Sequence, residues 1–463
     1  MIDFDLDKHD IHHVHFIGIG GISMSAIGEI LLDLGYKVSG SDMKASTTTQ
    51  RLSDKGAFIH IGHHKTNISS CDLVVYTAAV KEDNPEFIAA KELKIPIISR
   101  AEILGLIMKK FNTSIAVAGT HGKTTTTSML SVILQYNNFD PTILVGGQLD
   151  AIGGNVRIGS RDYFLTEACE YVGSFLKFFP KIGIILNIEE DHLDYFKDIH
   201  HINQTFTEFA NLIPNDGLLF VYNDDMNIKK ILPNISCPII TYGEQDHNDY
   251  NATNIHYDKN GFPSFDVFFK KNYLGNIHLQ VPGKHNVSNA LAAVSCAHSL
   301  GIDIENISKA LYSFTGTHRR FDVLGVVNDI KIIDDYAHHP TEIKATLQAT
   351  SNVPHNKLWC IFQPHTYTRT KSLLNDFASS FNGIDHLIIT DIYAAREKDT
   401  GEIHSNDLVR EIENNNQNVK YIKAFEDIVD YILKHAQPND LVITMGAGDI
   451  NSVGKMLLEK LKG

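Results

Sequence analysis

Residues 115–127 read Ile-Ala-Val-Ala-Gly-Thr-His-Gly-Lys-Thr-Thr-Thr-Thr. An apolar run suited to a buried strand is followed by a glycine loop, a lysine and hydroxyls that open a helix. That order makes a cradle for phosphate. Backbone N–H groups around Gly119 and Gly122 can surround phosphate oxygens, and the helix N-terminus favours negative charge. Lys123 reaches the β- and γ-phosphates of a nucleoside triphosphate, and Thr124 is the residue for Mg²⁺. The common form of the loop has a glycine five positions before Gly122, where this chain has Val117. ATP and Mg²⁺ are therefore expected, in a variant loop. The hydroxyls of Thr125 to Thr127 have a second reading as helix caps.

With 463 residues, the chain is long enough for about three domains of roughly 150 residues each. A hydrophobic content of 43% lets each build a core. The formal net charge of -14 disfavours nucleic acid or an anionic membrane as partner, because both need basic patches. Five scattered cysteines without a C-x-x-C pair argue for a reducing, cytoplasmic setting and against a thiolate zinc site. The start, MIDFDLDKHD, is too polar for a signal peptide, and no apolar run approaches ~18 residues.

Strand and helix signals alternate in three blocks, 1–110, 111–317 and 318–463, so the fold class is α/β throughout. The first block has strands at Val14–Ile17, Tyr36–Ser39, Leu73–Tyr76 and Ile97–Ile98. The second adds Tyr163–Thr166 and Ile182–Asn187, then an antiparallel excursion within 244–280. The third has strands at Lys331–Asp334, Leu358–Gln363, His386–Thr390 and Leu441–Met445.

Several strand ends carry chemistry. Gly18, Gly20 and Gly21 form a turn between strand and helix, and Asp42 lies about twenty residues on. This is a diphosphate-and-ribose layout, open to NAD or to a nucleotide-diphosphate sugar. Ser23 stands where the third glycine of the dinucleotide pattern belongs. Glu167 and the run Asn187-Ile-Glu-Glu-Asp-His192 end two buried strands, where hard-oxygen and imidazole ligands suit Mg²⁺ rather than zinc. His285 and Asn289 open an alanine-rich helix, as caps or as purine contacts. Arg319 and Arg320 mark the junction of blocks two and three, where a guanidinium can follow a moving γ-phosphate or make an interdomain ion pair. The loops after Asp335 and Gln363, with Tyr336, His338, His365 and Arg369, suit an anionic substrate such as an amino-acid carboxylate.

Taken in order, Gly18–Ser25, Gly40–Asp42, Gly119–Thr125, Glu167, Asn187–His192, Gly283–Asn289, Arg319–Phe321, Asp335–Pro340 and Gln363–Arg369 resemble the Mur ligase family over essentially the whole chain. The resemblance implies an N-terminal Rossmann-like domain binding a UDP sugar, a central P-loop ATPase, and a C-terminal Rossmann-like domain binding an amino acid. It further implies UDP-N-acetylmuramate and L-alanine as substrates, an acyl-phosphate intermediate, and a monomer or homodimer. On this resemblance Gly119, Thr120, His121, Gly122, Lys123, Thr124 and Thr125 hold ATP phosphates. His285 and Asn289 lie near adenine, Asp335 near the ribose, and Arg320 at the acyl phosphate. Thr124, Glu167 and His192 are metal ligands. Gly18, Gly20, Gly21, Ser23, Ser41 and Asp42 belong to the UDP sugar, and Tyr336, His338, His365 and Arg369 surround alanine. Lys123, Glu167, His192, Arg320 and His338 form the catalytic set. Two departures stand out: Cys169 and Thr366 occupy positions where many members have Asp and Arg. Arg369 is then left to carry the alanine carboxylate. The rival readings are a ligase recycling a preformed tripeptide, an NAD-dependent dehydrogenase, which leaves the phosphate loop unexplained, and a nucleotide-gated binding module without chemistry.

Overall fold

In the computed structural model, residues 5–77, 80–415 and 418–462 are described. Three sheets follow one another along the chain. The first has five parallel strands in the spatial order Phe58–Ile61, Lys37–Asp42, His13–Ile17, Leu73–Tyr76, Ile97–Ser99. The earliest strand lies in the middle, and successive strands add first on one side and then on the other. The strand order therefore reverses beside the end of His13–Ile17, where Gly18–Gly21 leave the sheet, and such switch points open a crevice.

The second sheet has ten strands. Thr113–Ala118 sits inside it, parallel to Tyr163–Ala168 on one side and Ile182–Ile185 on the other. Ile115 to Ala118 are fully buried, as the central strand of a sheet covered on both faces requires. Leu218–Tyr222 and Ile239–Gly243 extend the parallel part beyond the strands expected. The three strands within 250–278 are antiparallel to one another, as expected, but they do not leave the sheet, which the first of them joins in parallel. Tyr250–Tyr257 pairs with Ile239–Gly243, and Pro263–Phe269 and Asn272–His278 add to its edge. An antiparallel hairpin, Thr142–Leu149 with Gly154–Arg157, closes the other edge.

The third sheet runs Asp322–Val327, Ile330–Asp335, Leu441–Met445, Leu358–Phe362, His386–Ile389, Val419–Tyr421. All neighbours are parallel except the first pair. Ile330–Asp335 and Leu358–Phe362 flank Leu441–Met445, so the loops after them leave the same edge. Apolar residues of the first sheet's last helix, Ile103 and Leu106, share a core with Phe164, Phe175 and Phe206 of the second unit. No helix among the described residues is long and apolar enough to cross a membrane.

Candidate active site

The phosphate loop leaves the middle of the ten-stranded sheet between two neighbouring strand ends. Gly119 and Gly122 have φ of 144° and 86°. A Cβ on Gly122 would lie 2.5 Å from Asn289 Oδ1, and one on Gly119 would lie 2.9 Å from Leu186 Cβ. Both positions therefore need glycine for conformation and for space. Asn187 fixes the loop between them: its Oδ1 accepts from the His121 N–H at 2.7 Å, and its amide donates to the His121 carbonyl at 3.0 Å. Gly122 caps the helix Lys123–Tyr136 with no side-chain contribution, and Thr126 and Thr127 are fully buried. The hydroxyls therefore do not cap this helix, and no side chain competes with an anion at its N-terminus.

Lys123 Nζ lies 2.9 Å from Glu170 Oε2 and donates to the carbonyls of Gly119 and Thr120 at 2.5 and 3.1 Å. Burial alone would lower its pKa, but the Glu170 charge outweighs this and holds the ammonium form. Glu170 had no role in the sequence reading. Its signal was its position, three residues after Glu167 at the end of the same strand.

Glu167 pairs in register with Val117, at the mouth of the loop. Its Oε1 accepts from the Gly146 N–H at 2.6 Å. A Cβ on Gly146 would touch the Glu167 carboxylate, and one on Gly147 would touch Thr124 Cγ2. Glu167 and Thr124 thus flank the same two glycines, and their hard oxygens fit Mg²⁺. His192 has φ of 53°, and its ring packs on Tyr171 at 4.6 Å between centroids. Burial lowers its pKa, leaving a neutral imidazole with a free lone pair. Its Nε2 lies 3.9 Å from Glu170 Oε1, so Glu170 stands between Lys123 and His192.

Two cavities open from this centre. The first, of about 290 Å³, lies between the second and third sheets and is lined by His121, Asn187, His285, Asn289, Arg320 and Asp335 among others. His285 projects into it. Desolvation by the walls, helped by the Arg320 charge, lowers its pKa to about 4, so it is neutral at pH 7. Asn289 gives its amide to Asn286 Oδ1 at 3.1 Å and keeps its carbonyl towards Gly122. The Asp335 carboxylate accepts from the backbone N–H groups of Phe321 and Ala337, both at 2.7 Å. Burial dominates and raises its pKa to about 6. Arg320 packs over the Tyr336 ring at 5.0 Å.

The second cavity, of about 310 Å³, is lined by Tyr171, Asp191, His192, His365, Arg369 and Arg396 among others. Of the four residues expected around an amino acid, His365 and Arg369 face it directly. His338 adjoins through its ring contact with His365 at 5.7 Å, and Tyr336 lies instead under Arg319 and Arg320. Arg369 is not free. Asp191 Oδ1 accepts from its Nε and Nη2 at 3.0 and 2.9 Å. His365 is neutral: burial, with the His338 and Arg369 charges, lowers its pKa to about 3.

At the first sheet, the Gly20 N–H donates to Asp42 Oδ2 at 2.8 Å, so Asp42 braces the glycine turn. Ser41 is fully buried. Its hydroxyl donates to Glu86 Oε2 at 2.5 Å, and its carbonyl accepts from the Gly18 and Ile19 N–H groups. Its backbone carbonyl therefore braces the turn, while its side chain is engaged by Glu86 and His63. Ser23 accepts from Arg100 Nη1 at 2.9 Å.

Three family patterns match this chain in sequence: the "Mur ligase family, catalytic domain" at residues 13–112, the "Mur ligase middle domain" at 117–297, and the "Mur ligase, glutamate ligase domain" at 319–448. The chain belongs to the Mur ligase family. A UDP-N-acetylmuramate–L-alanine ligase of Alkaliphilus metalliredigens is 57% identical over 99% of both chains. The enzyme of that name from Acetivibrio thermocellus is 56% identical over 98% of this chain and 97% of its own. Among solved structures, a UDP-N-acetylmuramate–alanine ligase from Thermotoga maritima superposes with a TM-score of 0.80 at 29% identity, covering 97% of this chain and 99% of that one. A murein peptide ligase from Psychrobacter arcticus gives 0.71 at 27%, covering 97% and 98%.

In this Mur ligase the run Glu189-Glu190-Asp191 ties the phosphate-loop unit to the third sheet residue by residue. Thr341 donates its hydroxyl to Glu189 at 2.6 Å, the Glu190 carbonyl lies 3.1 Å from His339 Nε2, and Asp191 holds Arg369. His121 completes the contact, 3.3 Å from Glu342 and 3.6 Å from Glu189. Burial opposes its charge, but the two carboxylates win and raise its pKa to about 9. Glu189 and His339 lie within the runs Asn187–His192 and Asp335–Pro340 but have no role of their own in the sequence reading, and Glu342 lies outside them. Their partners come from a unit about 150 residues away, and no local spacing encodes that pairing. Because the folded pKa lies above the ordinary histidine value, the stabilisation is full below about 6.5 and is lost as pH rises through about 9. Wild-type melting temperature is therefore expected to fall between pH 7 and 10 by more than that of His121→Gln. Parallel curves for the two proteins would refute the assignment.

Proposed function

We propose that this Mur ligase joins L-alanine to the lactyl carboxylate of UDP-N-acetylmuramate, consuming ATP and releasing ADP and phosphate. One observation carries the reading: Glu170 touches Lys123 of the phosphate loop and faces His192 of the second cavity. A γ-phosphate at the loop and an amine in the second cavity would therefore meet at a shared wall. The relatives that match along the whole chain carry the corresponding name. In this reading residues 1–110 hold the UDP sugar, 111–317 the ATP and 318–463 the amino acid.

A carboxylate is a poor electrophile until one oxygen leaves as phosphate. Transfer of the γ-phosphoryl group makes an acyl phosphate. The amine then forms a C–N bond, and the C–O bond to phosphate breaks. Lys123 is cationic and pre-positioned, so it stabilises charge on the transferring group without reorganisation. Thr124, Glu167 and His192 would hold Mg²⁺, which when bound neutralises phosphate charge. Neutral His285 and the Asn289 carbonyl offer hydrogen bonds to a purine, and Arg320 faces the junction where the acyl phosphate would form.

The test is coupled ADP release with UDP-N-acetylmuramate and, separately, L-alanine, glycine, L-serine or the cell-wall tripeptide. Turnover is expected to be strongest with L-alanine. Preference for the tripeptide would favour the recycling reaction, and tight NAD binding without UDP-sugar binding would favour a dehydrogenase.

A further inference from the structure

The second cavity raises a question of charge. An amino-acid substrate brings a carboxylate, but the arginine facing the cavity, Arg369, is already committed. Two of its N–H groups, Nε and Nη2, go to Asp191 Oδ1 at 3.0 and 2.9 Å. A third goes to the neutral His365 at 3.3 Å. The His365 ring is itself taken up by Arg369 and by the Tyr393 ring. Thr366, on the same wall, offers only a hydroxyl, which caps the short helix Tyr367–Ser372.

Arg396 is different. It lies on the loop after His386–Ile389 and lines the same cavity, and among the described residues its guanidinium has no hydrogen-bond or ion-pair partner. The loop that carries it is held against the segment 364–368 at both ends. Tyr393 donates its N–H to the Pro364 carbonyl at 2.8 Å and accepts from the Thr366 N–H at 2.9 Å. The next residue after Arg396, Glu397, accepts from the Thr368 N–H at 2.9 Å. The His365 and Tyr393 rings stack at 5.6 Å with an interplanar angle of 18°. The backbone on either side of Arg396 is thus held over the stretch that contains Thr366, and its exposed guanidinium is left with its charge unspent.

We propose that Arg396 binds the α-carboxylate of the incoming amino acid and supplies the guanidinium that position 366 lacks. Arg369 then acts as a positioning residue that holds the wall through Asp191. This inference rests on the proposed ligase reading and adds the residue that selects a free amino acid by its carboxylate. An unneutralised guanidinium at a cavity rim attracts such a group and can pair with it through two N–H groups.

The test uses the full-length enzyme in the ADP-release assay. Arg396→Ala is expected to raise KM for L-alanine roughly 10- to 150-fold, the cost of losing a hydrogen bond to a charged group, with KM for ATP and for UDP-N-acetylmuramate unchanged. L-alaninamide, which lacks the carboxylate, supplies the second readout. Wild type should strongly prefer L-alanine, and Arg396→Ala should lose that preference. Thr366→Arg in the Arg396→Ala background should recover most of the L-alanine affinity, because it puts a guanidinium back on the same wall. An unchanged KM for L-alanine, a rise confined to ATP, or an equal loss for alanine and alaninamide would overturn the assignment. If wild type itself released no ADP with L-alanine, the ligase reading would fail, and this inference with it.

Discussion

Lys123→Ala is expected to reduce ADP release by roughly 10³-fold or more, since one pre-positioned donor at a developing charge contributes on that scale. The substitution also does something the sequence does not show. Glu170 is 3% exposed, and Lys123 is its cationic partner. Alanine would leave that carboxylate buried and unpaired, which costs about 3–5 kcal/mol in comparable pairs. A dead Lys123→Ala enzyme is therefore ambiguous between lost catalysis and a damaged central unit. The double variant Lys123→Met/Glu170→Gln separates the two. It removes both charges at similar volume, so the melting temperature should return close to wild type while turnover stays lost. UDP-sugar binding by calorimetry should persist in both proteins. A double variant that recovered stability and turnover together would remove Lys123 from the chemistry.

That example shows where the sequence stops being legible. The three α/β blocks, the glycine loop and the carboxylates at strand ends are readable because each depends on local order. A strand followed by Gly-x-x-Gly-Lys-Thr places Lys123 and Thr124 whatever the rest of the chain does. Glu167 is readable because it ends a buried strand, and register then sets it beside Val117. The partners are not readable. Glu170, Glu342 and Glu189 act through contacts between distant segments. Arg369 looked available for a substrate until Asp191, 178 residues away, was found on it. Asp42 and Ser41 show the same effect on a smaller scale, since both brace the glycine turn that sequence spacing had pointed to. The edge strands Asp322–Val327 and Val419–Tyr421 were missed because short strands carry little periodic signal.

The Asp191–Arg369 pair should produce the largest change in stability. Its side chains are 8% and 9% exposed, and both Arg369 contacts converge on one oxygen. Burial opposes the Asp191 charge, but the Arg369 guanidinium beside it holds its carboxyl well below the usual carboxylate range. Asp191→Asn keeps the shape but removes the charge, leaving a guanidinium largely shielded from water with no counter-ion. A loss of about 3–5 kcal/mol is expected, which corresponds to a fall of roughly 6–20 °C in melting temperature for a unit of 150–250 residues. The size of this effect reflects a stranded charge rather than the strength of the pair, and that distinction can be tested. If desolvation of the orphaned arginine is the cause, Asp191→Asn/Arg369→Met should recover most of the lost stability, because replacing both ions by well-packed groups is often neutral. Arg369→Met alone should be destabilising too, since Asp191 would then be the orphan. Additive losses in the double variant would mean that the two side chains stabilise the fold independently. The link between the phosphate-loop unit and the third sheet would then rest on the remaining contacts, those of Glu189, Glu190 and His121 and of His318 with Gln148 and Asp150.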